Sequence, residues 1–436
     1  MTILRLHYGK YDIYMLVSLA LIILFSLLLY FSDHKAFRFV LVMVGVVEIA
    51  ISSYLMLDRI GMRSNVYSNY VTENQELFDH LPAGVKSKRI AKNYFLNDDR
   101  GESYAFNYKE AEIFSSNNDP KISKLYANLG LSAYGYYYFY KTGTVVTDAI
   151  FNIGGFIDNS LLSQSISPEY ISYGLRYDLK NNQILLKEKQ YIAYRTDTLP
   201  LVFAGNLSNN LKFKSNDPVY NQNLVLNSLT QTQGNVVTYS PKVAKIKVTD
   251  SKLKQEKKKF TVTRISDKDG SVTFTFDGLR PKETSYIQFG KDLMGFADPL
   301  TTYHARQDGN NKPELRITVN KKDVRLQPQV KQLVGVQADQ KGEVQIKWRL
   351  AGNKRILTSE MPRLVNINST LLRSKISQVN NKKRMHLTAF RDNYLSGKIN
   401  PTKNENLVTT IPYSRGWKVK VDGKPVKVSL TLDVFI

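Results

Sequence analysis

No cysteine occurs in 436 residues, which excludes disulfide staples, thiol nucleophiles and thiolate metal sites together. Such an absence suits a Gram-positive exterior. Acidic residues are scarce beside basic ones: 38 Asp and Glu stand against 61 Lys and Arg, giving a formal net charge of +23 and a pI near 9.7. A surplus of that size implies polyanionic surroundings, such as phospholipid headgroups, anionic wall polymers or nucleic acid. No repeat of fixed period is visible, and no Gly/Ser-rich or Pro-rich linker divides the chain after residue 58. Catalytic signatures are also missing. His7, His34, His80, His304 and His386 are scattered without an HExxH pair, and there is no Walker A, GxGxxG or GxSxG sequence. No metal and no cofactor are expected. Gly154-Gly155 reads as a simple turn, and Asp98-Asp99 and Asp148 read as isolated turn or solvent carboxylates.

What the chain has in abundance near its start is apolar sequence. Ile13 to Phe31 and Phe39 to Leu57 are each nineteen residues long, against about 20 needed to cross a ~30 Å hydrocarbon core. The first is too long for a signal h-region and no small-residue cleavage site follows it. Residues 1–60 are therefore expected to form a transmembrane hairpin, with both ends on one side. Charge does not set the side, because Arg5, Lys10, Lys35, Arg38, Arg59 and Arg63 are nearly balanced about the spans. Composition places residues 58–436 outside the cytoplasm and the short loop His34 to Arg38 inside. Glu48, in the middle of the second span, costs several kcal/mol unless it is neutral or partnered. It reads as a pathway residue or as a hydrogen-bonding group for further helices of the same or a neighbouring protein. Membrane lipid is the first expected partner.

The remainder divides by pattern. Residues 61–190 read as a small mixed α/β region. Val66 to Leu81 is helical in character and ends at Pro82-Ala83-Gly84. A second helix is marked by Asp119 as cap, Pro120 in the first turn, and Ile122, Leu125, Tyr126 and Leu129 at helical spacing. Next comes the aromatic run Tyr134 to Tyr140, either a half-buried strand or a surface that stacks on sugar rings. From Tyr191 to Ile436 the period changes to two. Val272, Phe274 and Phe276 alternate with threonines, and Val344, Ile346, Trp348 and Leu350 alternate with Gln345, Lys347 and Arg349. Trp417, Val419 and Val421 alternate with lysines before the turn Asp422-Gly423. Short strands punctuated by turns predict an antiparallel β-sandwich. Two basic clusters stand out, Lys257, Lys258 and Lys259, and Lys382, Lys383 and Arg384 with Arg373, Lys375 and Arg391 nearby. Each is a solvated face or a patch for phosphate-bearing polymer or anionic lipid. Nucleic acid is not expected for an exterior domain without a recognisable binding module.

Ile411-Pro412-Tyr413-Ser414-Arg415-Gly416-Trp417, continuing to Asp422-Gly423, resembles the PY-x-x-GW-x-x-x-x-DG hairpin of the YfhO family of bacterial membrane proteins. In the same order, Phe114-Ser115-Ser116 with Leu129-Gly130 resembles the family's serine-pair segment. Thr147-Asp148-Ala149-Ile150-Phe151-Asn152-Ile153-Gly154 resembles its D-S-L-L-G-I-K-Y stretch, with Gly155-Phe156 in place of Lys-Tyr. Leu199-Pro200-Leu201-Val202-Phe203 and Asn221-Gln222-Asn223 resemble its LP-x-x-F and NQN elements. The resemblance covers nearly the whole chain and the C-terminal half of the family's usual length. It implies a multi-spanning glycosyltransferase of the GT-C type that adds sugar to lipoteichoic acid or a related polymer from a polyprenyl-phosphate donor. The catalytic acid of that class lies in an early extracytoplasmic loop, so no catalytic residue carries over to this chain. It also implies a final transmembrane helix after residue 436, and inactivity of this chain alone. The competing expectation is a non-enzymatic, membrane-anchored module that binds anionic wall polymer or a partner protein. Within the family reading, Trp417 is expected on the core side of its strand rather than at a sugar.

Overall fold

The computed structural model describes residues 10–31, 33–60, 64–96, 101–115, 117–134, 137–159, 170–172, 176–205, 211–290, 315–324, 326, 330–352, 354–391, 393–402, 405–432 and 434–435. Asp98-Asp99, Ser116, Gly135-Tyr136, His7 and His304 lie outside the described residues. The chain forms two units, one ending at Thr72 and one from Glu73 to Ile436.

In the first unit, α1 (Lys10–Tyr30) and α2 (Lys35–Ile60) pack against each other. Among the described residues one helix, Lys35–Tyr54, is long and apolar enough to cross a membrane, and Ser18–Tyr30 forms a shorter apolar helix. Both leave large apolar side chains uncovered, including Ile22, Leu29, Val42 and Ile49. A water-soluble core helix hides such groups, so these surfaces are suited to lipid. Glu48 is half-buried and accepts a hydrogen bond from Ser52 one turn on, at 3.1 Å. It lies with Ser18, Phe39, Val44 and Ile51 along a groove between the helices.

The second unit has two hydrophobic cores. Around the first, a four-stranded sheet takes the order Arg89–Lys92, Ile153–Asn159, Tyr191–Arg195, Ile184–Glu188. Its first pair is parallel and the others antiparallel. The strands at 184–188 and 191–195 form one hairpin, so the expected boundary at residue 190 falls inside a paired element. Gly154 and Gly155 are buried in the strand Ile153–Asn159 rather than in a turn. A Cβ there would collide with the Lys88 and Val85 side chains, at 2.4 and 2.7 Å, so close approach accounts for the pair. The helix Pro120–Asn128 forms as its signals predict: the Asp119 side chain accepts from the Lys121 amide at 2.9 Å, Pro120 opens the first turn, and Ile122, Leu125 and Tyr126 are buried. The helix Ser64–His80 also forms, but Ala83–Lys86 then makes one more helical turn. Of the aromatic run, Tyr138 and Tyr140 are buried and Ala133–Tyr134 pairs with Tyr137–Tyr138 as short strands.

The second core joins three antiparallel sheets. One orders Lys245–Thr249, Gly270–Phe276, Val344–Leu350, Leu315–Val319 and Lys322–Asp323, while Ser251–Glu256, Lys259–Arg264 and Ile356–Glu360 form another. The third contains Val237–Tyr239, Arg363–Ile367, Thr284–Gln288 and Leu333–Gln337. Here the period-two pattern holds residue by residue. Val344, Ile346, Trp348 and Leu350 are buried while Gln345, Lys347 and Arg349 are exposed. Trp348 sits edge-on to Phe260, Phe274 and Phe289 at 5.5, 5.1 and 5.7 Å between ring centres, arrangements in which ring edges meet ring faces favourably.

A buried polar network ties the two sets of sheets together. Asp148, in the helix Val145–Ile150, and Asp178 grip the Arg176 guanidinium from two edges. Arg176 Nε and Nη2 donate to Asp178 at 2.9 and 2.8 Å, and Nη1 and Nη2 donate to Asp148 at 3.3 and 2.7 Å. Tyr140 donates to Asp148 at 2.7 Å, and Tyr286, from the 284–288 strand, donates to Asp178 at 2.8 Å. The Arg176 amide donates to Asp158, and its guanidinium lies 4.6 Å from the centre of the Phe156 ring. Asp148 is therefore a structural ion-pair residue and not the solvent carboxylate its isolation in sequence implies. Burial pushes its pKa up, against the pull of Arg176. Burial likewise raises Asp158 to about 7, although Arg176 opposes it.

The NQN element is a second set of buried clamps. Asn221 donates to the Asn128 and Lys214 carbonyls, Gln222 donates to Leu129 O and accepts from Thr144, and Asn223 bonds the Val219 and Val237 carbonyls and the Val236 amide. Each side-chain amide thereby satisfies backbone groups that turns leave unpaired.

Replacing Arg176 by Met should cost about 3–5 kcal/mol, because it strands two buried carboxylates. Denaturant unfolding of the detergent-solubilised chain measures this, and a loss below 1 kcal/mol contradicts it. Between the ordinary carboxylate value and about 7, the folded chain holds a proton on Asp158 that the unfolded chain has released. Stability therefore falls as pH rises through that window and stays low above it. Asp158→Asn should melt higher than the native chain at pH 8, with the gap closing towards pH 4.

Candidate functional site

Arg89 opens the strand Arg89–Lys92 and is held by three acceptors, none of them acidic. Its Nη1 donates to Phe151 O at 2.8 Å and Thr410 Oγ1 at 3.2 Å, and its Nη2 donates to Thr410 O at 3.0 Å. Thr410 follows the strand Asn406–Thr409, which pairs with Val202–Gly205, so residues far apart in sequence fix this arginine. The bonds to Thr410 occupy the end of the guanidinium where Nη1 and Nη2 face each other. The side edge, Nε–H with the second Nη2–H, has no acceptor among the described residues. Asp178 binds the corresponding edge of Arg176. Burial lowers the Arg89 pKa, with Tyr126 and Tyr138 rather than a carboxylate acting against it.

Arg89 lines a cavity of about 540 Å³. Buried Tyr126, Tyr138 and Phe151 form its inner wall, with Tyr126 lying 4.6 Å from Tyr138 and 4.8 Å from Phe151 between ring centres. Tyr104, Tyr108, Phe390 and Trp417 line it nearer the surface. Burial raises Tyr138 to about 12, which keeps its hydroxyl protonated at neutral pH. Lys109 places its ammonium 4.5 Å from the centre of the Phe390 ring, and exposed Arg391 adds another cation. Glu110 accepts from Ser103 and Tyr108, while Glu112 is paired with buried Lys141 at 2.6 Å. Stacking faces, hydroxyl donors and an open guanidinium edge equip the cavity to bind a polar ring bearing negative charge. Among the described residues no group of three or more His, Asp or Glu is placed to hold a metal ion.

The residues singled out by sequence fall in different places. Trp417 lines this cavity and is half-buried, so its expected position on the core side of a strand is corrected. The reason is local: the strand begins only at Lys420 and pairs Lys420–Val421 with Lys424–Pro425, leaving Val421 exposed. The Asp422-Gly423 turn forms as predicted, with φ of 50° and 77°. Lys257 and Lys258 form the turn of the Ser251–Arg264 hairpin, beside Lys259. Lys382 ends the helix Ser369–Lys382, and Lys383 is tied to Glu405 at 3.0 Å and to Gln231 at 2.5 Å. Arg384 is exposed on a bridge to Phe203. Lys375 is buried and spends its ammonium on Asn227, Thr232 and Gln233, which removes it from any binding surface. Neither lysine cluster lines the cavity. Sequence reading missed Arg89 itself, because a single arginine opening a strand carries no local pattern.

No curated protein and no solved structure matches this chain. The family described as bacterial membrane protein YfhO matches residues 4–436. That span takes in both apolar helices, the NQN clamps, and the Trp417 segment with the cavity it lines. By this match over nearly its whole length, the chain belongs to the YfhO family of bacterial membrane proteins.

Proposed function

We propose that this chain serves a membrane glycosyltransferase system that adds sugar to lipoteichoic acid or a related anionic envelope polymer. The α1–α2 hairpin crosses the membrane, and the β-rich unit stands outside the cytoplasm and holds the acceptor polymer. One observation carries the reading: the cavity combines the Trp417 and tyrosine faces that suit a sugar or polyol with an open arginine edge that suits its charge. The surplus of +23 supports it, since a basic surface concentrates polyanion near the membrane. Glu48, within the apolar surface of the hairpin, fits contact with further helices of the transferase.

Charge by itself also supports a second reading, that of a non-enzymatic surface module binding anionic wall polymer. The exposed Lys257-Lys258 turn favours it. Two experiments decide. In a strain deleted for this gene, sugar on the envelope polymer should fall and should return with the native gene but not with a Tyr104→Ala, Trp417→Ala double variant. Unchanged polymer sugar in the deletion strain refutes the transferase reading. Retention of the full chain on immobilised lipoteichoic acid should weaken as salt rises. Changing Lys257, Lys258 and Lys259 together to Glu should cut retention severalfold; equal retention removes that turn from polymer binding.

A further inference from the structure

We propose that the cavity binds one phosphodiester-linked sugar or polyol unit, with the open edge of Arg89 taking the phosphate and the Trp417 side taking the ring. This rests on the reading that the chain handles an envelope polymer, and it names the chemistry the site selects.

The argument begins with unspent donors. A guanidinium has five N–H groups, and three of those on Arg89 are satisfied by Phe151 and Thr410. The remaining two lie parallel on one edge, the geometry that matches two oxygens of a phosphate. Burying a guanidinium without a counter-ion is costly, and the neutral oxygens that hold it orient the group without cancelling its charge. Arg176 provides the contrast within the same fold, since carboxylates cover both of its usable edges. Arg264, buried and held by four carbonyls without a carboxylate, has its Nε–Nη2 edge taken up by Lys268 O and Asp267 O, so it is the unspent edge, not the lack of an acid, that sets Arg89 apart.

Local charge sets the valence of the ligand. Arg391 is exposed and screened by water. Lys141, outside the lining, neutralises Glu112, so the inner charges that remain are those of Arg89 and Lys109 against Glu110, an excess of one. A phosphodiester carries one negative charge, whereas a phosphate monoester carries nearly two at neutral pH. The aromatic wall then distinguishes a phosphate attached to a ring from phosphate alone. The volume of about 540 Å³ lies within the usual range for small-molecule sites, about 300–1,000 Å³.

The test is calorimetric titration of the detergent-solubilised full chain with methyl glucosyl phosphate, a singly charged diester. The diester should bind at least about tenfold more tightly than methyl glucoside, and Arg89→Gln should abolish that difference, since hydrogen bonds between charged groups are stronger than neutral ones. Trp417→Ala lies outside the bonds that hold Arg89. It should weaken the diester about tenfold and leave inorganic phosphate unchanged, which keeps the proposal testable if Arg89→Gln does not fold. Equal binding of diester and glucoside by the native chain overturns the proposal, as does equal binding of methyl glucuronide, a sugar of the same charge whose anion is a carboxylate. In nanodiscs, a phosphatidylglycerol surface that blocks the diester when phosphatidylcholine does not would assign the site to lipid headgroup and overturn it too. Diester binding indifferent to Arg89 sinks this inference alone, whereas intact polymer sugar in the deletion strain sinks the reading beneath it.

Discussion

Arg176 is held by two carboxylates at once, and satisfying that cluster draws together Tyr140, Asp148, Asp158, Asp178 and Tyr286 from separate elements. A guanidinium removed from water must have its charge and its donors met. Asp148 and Asp178 meet both, but they bring three desolvated charges into one place and so require further donors. Tyr140 and Tyr286 provide them. Tyr286 packs in the first core with Phe156, while its neighbour Ile287 on the same strand packs in the second. The network therefore sets how two independently patterned sets of strands meet. Hydrophobic packing gives each set its interior, and the directional bonds of one arginine and its two carboxylates join the helix at 145–150 to the strand at 284–288.

Set beside it, Arg89 illustrates how one residue type takes opposite roles. Both arginines are withdrawn from bulk water and both touch aromatic surroundings. One is saturated by acids; the other is steered by carbonyls and a hydroxyl. Neutral acceptors fix position while leaving the field of the charge uncancelled, which is the condition a site needs to attract an anion. Glu112, a carboxylate that lines the same cavity, is engaged by Lys141 and by the Tyr140 amide. Protein-internal pairing thus keeps one carboxylate occupied and one guanidinium edge open.

The sequence was legible where structure follows a period or a cap. The strand at 344–350, the strand at 270–276, the Asp119-Pro120 helix start and the Asp422-Gly423 turn are local patterns, and each formed. Trp417 shows where periodicity stops working. Its alternation with Val419 and Val421 is genuine, yet a strand with so few paired residues has no partner face to bury against. Asp148 shows a different limit, because the arginine that makes it structural is 28 positions away and carries no shared signal. The NQN element was visible as a resemblance without a reason; the clamps supply the reason. Arg89 was invisible for the same cause as Asp148, since its partner Thr410 is 321 residues distant.

That last separation has a temporal meaning. A ribosome delivers residue 89 long before residue 410, and Trp417 later still, so the Trp417 side of the cavity and the anchor of its charge arrive last. Until then the guanidinium lacks the Thr410 bonds that orient it and the Trp417 face across the cavity. Contacts between such distant residues form late, since loop closure must be met before they contribute. The cavity thus comes into being only once the strand at 406–409 has docked beside 202–205. A nascent or partly folded chain presents no finished pocket to the polyanions around it, and readiness to bind becomes a mark of completed folding.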